Sequence, residues 1–471
     1  MAQGNGYSEG PAIQPGAHIH IVGIGGIGMS AIARVLLEGG GYRVSGSDRS
    51  LSEVGRSLAD LGAEVYDGHR AEQLGDAEVV FVSSAIPMDN PEVQAAQVRG
   101  IPVLKRPQVL AWLTKPYRTI AVAGTHGKTT TTAMIACLLL EEGLDPSFIV
   151  GGILPGLATN ARFGKGPFFV IEADEYDRTF LGLQPAVAVV TSVEMDHPDC
   201  YPTYEDVQAA FAAYLERVPR EGCIVACGDD PGVRRLLARR WGSRRIIRYG
   251  FGEACAVRAV GVEANGLGYD FDWVVDGVGR GRFSLQIPGL HNVCNALAVL
   301  SVARELGISE EVAREVLRSF SGVARRFEFK GEVGGVTVID DYAHHPTEIR
   351  ATLAAARARF NGRTIWAVFQ PHTFSRTRAL LEEYRQSFGD ADHVLVTPIY
   401  AAREQDTKQV TGADLVDGAS HKDMRYVPDL QSAIAELIRD LKAGDVVVTM
   451  GAGDGYRVGE GVLSILRGRA K

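Results

Sequence analysis

The sequence predicts an α/β protein of three domains, and three observations carry that reading. From His18 onward, apolar runs of four to eight residues bounded by Gly, Asp or Pro alternate with segments of helical period, the pattern of parallel sheets covered by helices. Two of these runs lead directly into glycine turns that open helices, HIHIVGIGGIGMS and TIAVAGTHGKTTTT. A length of 471 residues, at roughly 100–200 residues per domain, gives room for about three cores.

The first block, residues 1–116, has strands expected at His18–Val22, Tyr42–Ser45 and Val79–Ser83, helices opening near Gly26, Glu53 and Pro91, and a closing turn at Thr114–Pro116. The second, 117–323, opens with the strand Thr119–Ala123 and continues through Pro167–Glu172 and Ala186–Val190. A polar, turn-rich stretch around Val257–Arg282 then reads as short antiparallel strands. The third, 324–471, begins at ARRFEFKGEVGG and carries strands at Val336–Asp340, Ile365–Phe369, His393–Val396 and Val446–Met450.

Composition removes several function classes. The 49 basic and 57 acidic residues leave a net charge of −8, so the long-range positive field that gathers nucleic acid or anionic membrane is absent. Neither partner is expected. There is no run of 18 apolar residues, and the start MAQGNGYSEGPAIQPGA lacks a basic end followed by an apolar stretch, which predicts a cytoplasmic protein. The six cysteines, Cys137, Cys200, Cys223, Cys227, Cys255 and Cys294, form no CxxC pair, so reduced thiols are expected in place of a disulfide or metal-thiolate framework.

The most informative segment is TIAVAGTHGKTTTTAMIACLLLEEG. Backbone N–H groups from Gly124 through Thr125, His126 and Gly127 can cradle phosphate at the positive end of the following helix. Lys128 can neutralise the β- and γ-phosphates, Thr129 can hold Mg²⁺, and Thr130 in the same helical turn is expected to bind the nucleotide as well. The loop reads as an ATP site, although Val122 stands where the strict phosphate-loop pattern has its first glycine. Acidic or imidazole metal ligands are offered by the ends of the next two strands, Glu172 and Asp174 in VIEADEYD and Glu194, Asp196 and His197 in SVEMDHPD. In parallel sheets such groups collect at the carboxyl ends of strands, beside the phosphate loop if the three strands are neighbours. Near the amino terminus, Gly23, Gly25 and Gly28 fit G-x-G-x-x-G, with Asp48 twenty residues beyond Gly28. Locally this suggests NAD; a UDP-sugar presents the same diphosphate, and the fingerprint leaves both open.

Taken together, GIGGIGMS, VVFVSSAIP, AGTHGKTTT, VIEADEYDRTFL, EMDH, PGLHNVCNALA, RRFE, IDDYAHHPTE, QPHTFSRTR and MGAGD resemble the ATP-dependent Mur ligases of bacterial peptidoglycan synthesis, in order, over about residues 18–455. GIGGIGMS with DDYAHHPTE points to the alanine-adding branch. The resemblance implies a Rossmann-like UDP-sugar domain, a central phosphate-loop ATPase-like domain and a Rossmann-like amino-acid domain. It also implies ATP and two Mg²⁺ as cofactors, UDP-N-acetylmuramate and L-alanine as substrates, and a monomer or homodimer. By position it assigns Lys128 to the ATP phosphates, Thr129 and Glu172 to one Mg²⁺, and His197 to a second. His291, Asn292 and Asn295 fall to adenine, with Arg326 and Asp341 near the nucleotide. Tyr342, His344 and Arg376 fall to L-alanine, and Gly25, Ser47, Asp48, His69, Ser84 and Arg106 to the UDP-sugar. Two departures stand out. Thr373 replaces an Arg carried by some relatives, and Phe211 occupies the place of a lysine that other Mur ligases carbamylate.

The chemistry expected is phosphorylation of the sugar's lactyl carboxylate, then attack of the alanine amine on the acyl phosphate. His344 is the candidate base, because an unperturbed imidazole titrates near neutral pH; the alternative of equal weight is that His344 and His345 shape the pocket while substrate phosphate or water takes the proton. Arg376 is suited to bidentate carboxylate capture. Competing readings are a ligase that recycles a preformed peptide, a folylpolyglutamate-type enzyme, an NAD-dependent oxidoreductase built on GIGGIGMS, and an NTPase module without UDP-sugar dependence.

Overall fold

The computed structural model describes residues 12–50, 53–266, 268–402, 404–406 and 409–469. Most of the amino-terminal stretch read for a targeting signal therefore lies outside the described residues. The chain falls into two compact units, Met1–Val193 with Gln208–Arg258 and Leu297–Val316, and Glu194–Val207 with Ala259–Ala296 and Leu317–Lys471. The first two sequence blocks thus share one unit for most of their length.

In the first unit, strands β1 (His18–Val22), β2 (Arg43–Asp48), β3 (Glu64–Asp67), β4 (Val79–Val82) and β5 (Val103–Lys105) form an all-parallel sheet in the order β3-β2-β1-β4-β5. Every residue of β1 and β4 is buried, as expected of strands covered on both faces. The strand order reverses between β1 and β4, so the loops that follow them flank a switch point, where open α/β sheets bind ligands.

The same unit holds β6 (Arg118–Ala123), β7 (Ser147–Leu154), β8 (Thr159–Arg162), β9 (Phe168–Glu172), β10 (Val187–Val190), β11 (Cys223–Cys227) and β12 (Arg245–Gly250), in the order β12-β11-β10-β6-β9-β7-β8. All pairs are parallel except β7 with β8. The phosphate-loop strand β6 lies between β10 and β9, so the three strands are neighbours, as the sequence argument required. Tyr214 stacks on Phe180 with ring centroids 4.9 Å apart, and its hydroxyl donates to the carbonyl of Ala121 at 3.1 Å, tying its helix to β6. Phe211 is fully buried with its ring edge on Phe180 at 5.3 Å. It is a core residue.

Strand β13 (Val257–Ala264) crosses the boundary between the units. In the second, β14 (Tyr269–Val275) and β15 (Val278–Leu285) pair antiparallel, as the turn-rich stretch predicts. Strands β16 (Glu328–Val333), β17 (Val336–Asp341), β18 (Ile365–Phe369), β19 (His393–Val396), β20 (Met424–Tyr426) and β21 (Val446–Met450) form a sheet in the order β16-β17-β21-β18-β19-β20, parallel except for the β16–β17 hairpin. Apolar clusters cover both faces of this sheet, one around Ile339, Phe369 and Val448 and one around Val338, Trp366 and Val447, because alternate strand residues point to opposite faces. Among the described residues, no helix is long and apolar enough to cross a membrane.

Candidate functional site

The phosphate loop runs from the buried end of β6 into the helix Lys128–Glu141. Two conformations that glycine alone adopts readily make the turn, Gly124 at φ 141° and Gly127 at φ 78°. A Cβ on Gly124 would also collide with Thr191 Oγ1, the residue that follows β10. Ser192, from the same segment, braces the loop by accepting from Thr125 N through its carbonyl and from His126 N through its hydroxyl, both at 3.0 Å. Thr125, Thr129 and Thr130 are buried against the loop.

Lys128 donates to the carbonyls of Gly124 at 2.6 Å and Thr125 at 3.1 Å, and to the carboxylate of Glu175 at 2.9 Å. An ammonium group has three donors, and all three are engaged. Burial works against the lysine's charge, but Glu175, Glu172 and Asp174 outweigh it and raise its pKa. Burial pushes the Glu175 carboxyl up to about 7 even though Lys128 pulls it down. Sequence reasoning missed Glu175. The only available signal was that the VIEADEYD run has more acids than a single metal needs.

Thr129 Oγ1 donates to Glu172 at 3.0 and 3.2 Å, and Gly151 N donates to the same carboxylate at 2.8 Å. A Cβ on Gly151 would press into Glu172 Oε2, so this corner is shaped around the carboxylate. A hydroxyl and a carboxylate are hard oxygen donors that fit Mg²⁺. Asp174, a second candidate ligand, instead pairs with Arg106 at 3.1 Å.

The amino-terminal residues gather at the carboxyl ends of β1 to β4. Gly25 N donates to Asp48 Oδ2 at 2.9 Å, where a Cβ on Gly25 would crowd that carboxylate, and the Arg106 guanidinium lies over Gly28. Ser47 is buried, His69 is partly exposed, and Ser84 sits exposed in the loop after β4. Ser47 Oγ donates to Glu92 Oε2 at 2.5 Å, and His69 Nδ1 lies 3.0 Å from the same oxygen. Glu92 was also missed by sequence reasoning.

In the second unit, Asn292 and Asn295 are buried in the first turns of the helix Leu290–Leu306. Asn292 donates to the carbonyl of Pro288 at 2.7 Å and Asn295 to Asn292 Oδ1 at 3.0 Å, while His291 is exposed. Asp341 accepts from Phe327 N and Ala343 N, both at 2.7 Å, and burial pushes its carboxyl up to about 6. The guanidinium groups of Arg325 and Arg326 stack over the Tyr342 ring, 5.1 and 5.0 Å from its centroid. Arg325, not singled out from sequence, donates to Asp340 and to the carbonyls of Gly451 and Gly453, clamping the RRF loop onto the end of β21.

Three of the predicted site residues stand in surroundings that their residue types alone did not announce. Burial drives the His344 pKa down to about 3, with Nδ1 donating to the carbonyl of Tyr342 at 3.0 Å. Such an imidazole is neutral but too weak a base to hold the amine's proton near pH 7. Arg376 does not present an open fork: it is buried, with Nε on Asp196 at 2.7 Å, Nη1 beside His372 Nδ1 at 3.2 Å and Nη2 beside His197 Nδ1 at 3.3 Å. Burial opposes the Asp196 charge, yet Arg376 and the surrounding imidazoles hold that carboxyl well below the usual range. Because a guanidinium only donates, His197 Nδ1 accepts and Nε2 carries the proton of the neutral ring. In this arrangement the Nδ1 lone pair faces Arg376, so His197 can turn to a second Mg²⁺ only when that guanidinium gives up the contact.

The sequence matches the Mur ligase family catalytic domain over residues 18–118, the Mur ligase middle domain over 122–303 and the Mur ligase glutamate ligase domain over 325–453. The chain belongs to the Mur ligase family. This Mur ligase is 47% identical to the UDP-N-acetylmuramate-L-alanine ligase of Salinibacter ruber over 463 residues, 97% of this chain and 96% of that protein. Its fold is similar to the crystal structure of UDP-N-acetylmuramate-alanine ligase MurC from Thermotoga maritima, with a TM-score of 0.79 at 29% identity, covering 96% of this chain and 99% of the other. A murein peptide ligase from Psychrobacter arcticus gives a TM-score of 0.75 at 28% identity with the same coverage.

Proposed function

We propose that this Mur ligase joins L-alanine to the lactyl carboxylate of UDP-N-acetylmuramate at the expense of ATP, giving UDP-N-acetylmuramoyl-L-alanine, ADP and phosphate in the cytoplasm. The observation that carries the reading is the assembly of Lys128, Thr129 and Glu172 at a phosphate loop whose strand is flanked by β9 and β10, in a chain 47% identical to an alanine-adding relative over nearly its whole length.

Each group's part follows from its surroundings. Lys128 gives one donor to Glu175. With ATP in the loop it exchanges that partner for phosphate oxygens, stronger acceptors that carry more charge. Thr129 and Glu172 would hold one Mg²⁺, which when bound neutralises phosphate charge. The lactyl carboxylate attacks the γ-phosphorus, the bond to the β-phosphate oxygen breaks, and ADP leaves an acyl phosphate. Positioning and electrostatics are the main aids such a transfer needs. The neutral alanine amine then attacks the acyl carbon, phosphate departs, and the amine's proton goes to that phosphate, since His344 is too weak a base to take it. Arg376 can trade its two imidazole neighbours for the alanine carboxylate while keeping Asp196, because a carboxylate is the better acceptor for a guanidinium.

Phosphate release from ATP, measured against a matrix of acceptors, tests this. Release is expected with UDP-N-acetylmuramate plus L-alanine, and not with UDP-N-acetylglucosamine, which lacks the lactyl carboxylate. Equal release with both sugars refutes the acyl-phosphate route. Release with a tripeptide but not with L-alanine moves the protein to the peptide-recycling function.

A further inference from the structure

Glu92 has no part in the roles assigned above, yet it is completely buried beneath the carboxyl ends of β1 and β2. It lies in the first turn of the helix Pro91–Val98, where the Asn90 side chain accepts from Glu92 N at 2.9 Å and from Val93 N at 3.4 Å. That cap aims the carboxylate at three side chains. Oε1 lies 3.2 Å from His20 Nε2, and Oε2 lies 2.5 Å from Ser47 Oγ and 3.0 Å from His69 Nδ1. Ser47 Oγ and His69 Nδ1 are themselves 2.8 Å apart, closing a triangle.

With Glu92 ionised, as its lowered pKa favours, and His69 neutral, proton counting within the triangle leaves one arrangement in which every contact has a donor. Ser47 has a single proton, and giving it to His69 Nδ1 would leave Oε2 facing two bare lone pairs, one on the serine and one on the imidazole. Fully buried, a carboxylate so placed would lose its compensating donors. With Ser47 donating to Glu92, His69 must carry its proton on Nδ1 and share it between Oε2 and Ser47 Oγ. Oε2 then has both its donors, Oε1 has one where Ser45 donates to His20 Nδ1 and leaves the His20 proton on Nε2, and the unprotonated nitrogen of a neutral His69 is Nε2.

We infer that Glu92 is a positioning residue that holds the proton of His69 on Nδ1, so that Nε2 acts as a hydrogen-bond acceptor for an N–H or O–H donor of the UDP-sugar. The inference rests on the proposed function and on the assignment of His69 to the UDP-sugar that the family resemblance implies. It defines the chemistry His69 can read: a donor such as the uracil imide or a ribose hydroxyl is accepted, and an acceptor in its place is refused. The logic is that of imidazoles elsewhere, whose outward nitrogen is set by the partner of the inward one.

The test has two arms, both on the full chain. In the unaltered protein, ¹⁵N spectra of the assigned His69 ring above its titration range are expected to show a protonated Nδ1 and a bare Nε2. A proton on Nε2 overturns the inference without any variant having to fold. In the second arm, Glu92→Gln, His69→Ala and the double variant are compared. Glu92→Gln is expected to raise KM for UDP-N-acetylmuramate about tenfold, the loss of roughly one directed hydrogen bond, with KM for ATP and L-alanine unmoved. The double variant should match His69→Ala alone. If His69→Ala leaves KM for UDP-N-acetylmuramate unchanged, the placement of the sugar site is wrong. If His69→Ala raises it but Glu92→Gln does not, the two effects add, or all three KM values move together, Glu92 does not act through His69.

Discussion

Glu175→Gln is the substitution that best exposes how the nucleotide site is built. The Glu175 carboxyl, ordinarily near 4.5, is pushed up to about 7 by burial that Lys128 only partly offsets. At about 1.4 kcal/mol per tenfold change in proton affinity, keeping this charge inside the fold costs about 3 kcal/mol. The sign follows from linkage. A carboxyl raised in the native state favours the protonated form, so its contribution is most stabilising below about pH 4.5, declines between 4.5 and 7, and is level above 7. Lys128 has a raised pKa, so its contribution is lost only above its ordinary value of 10.5 and is constant over this window. Glutamine copies the neutral acid. The variant should therefore match the parent near pH 4.5 and exceed it by about 3 kcal/mol at pH 8, with Glu172 and Asp174 still facing the Lys128 charge. Hydrogen exchange of the amides in the helix Lys128–Glu141, with chelator present and no nucleotide, reads this locally. Protection at pH 8 should be about two orders of magnitude greater in the variant. Parallel profiles for variant and parent across pH 5–8, or a parent better protected at pH 8, would refute the reasoning.

Two further outcomes are expected. Lys128→Ala and Glu172→Ala should each lower turnover by about 10³ or more, as loss of transition-state charge stabilisers does, in steady-state assays of phosphate release; a folded variant with near-normal turnover removes the residue from the site. Because Phe211 is core-packed on Phe180 and no lysine lies between Lys165 and Lys330, activity should be indifferent to bicarbonate; reversible loss in degassed buffer, restored by adding bicarbonate, would show that a carbamate forms.

The phosphate loop was legible because its chemistry is local. Strand, two glycines with positive φ, lysine, threonine and helix follow one another within a few residues, so their spacing in sequence is nearly their spacing in space. The alternation of apolar runs likewise announced parallel sheets, since a strand covered on both faces must be apolar throughout. What each charged group faces was another matter. Glu175 is 47 positions from Lys128, Glu92 is 23 from His69, and Asp196 is 180 from Arg376. Such pairs form only when strand order brings distant loops to one sheet edge. Protonation followed the same division: His344 looked like a base from its residue type, and burial made it a neutral group with a pKa near 3. His197 is a metal-ligand candidate by residue type, and the fold sets its Nδ1 3.3 Å from the guanidinium of Arg376. Residue type is written in the sequence, but desolvation and the sign of the nearest charge arise only when the chain is packed, and these decide which proton a site can hold.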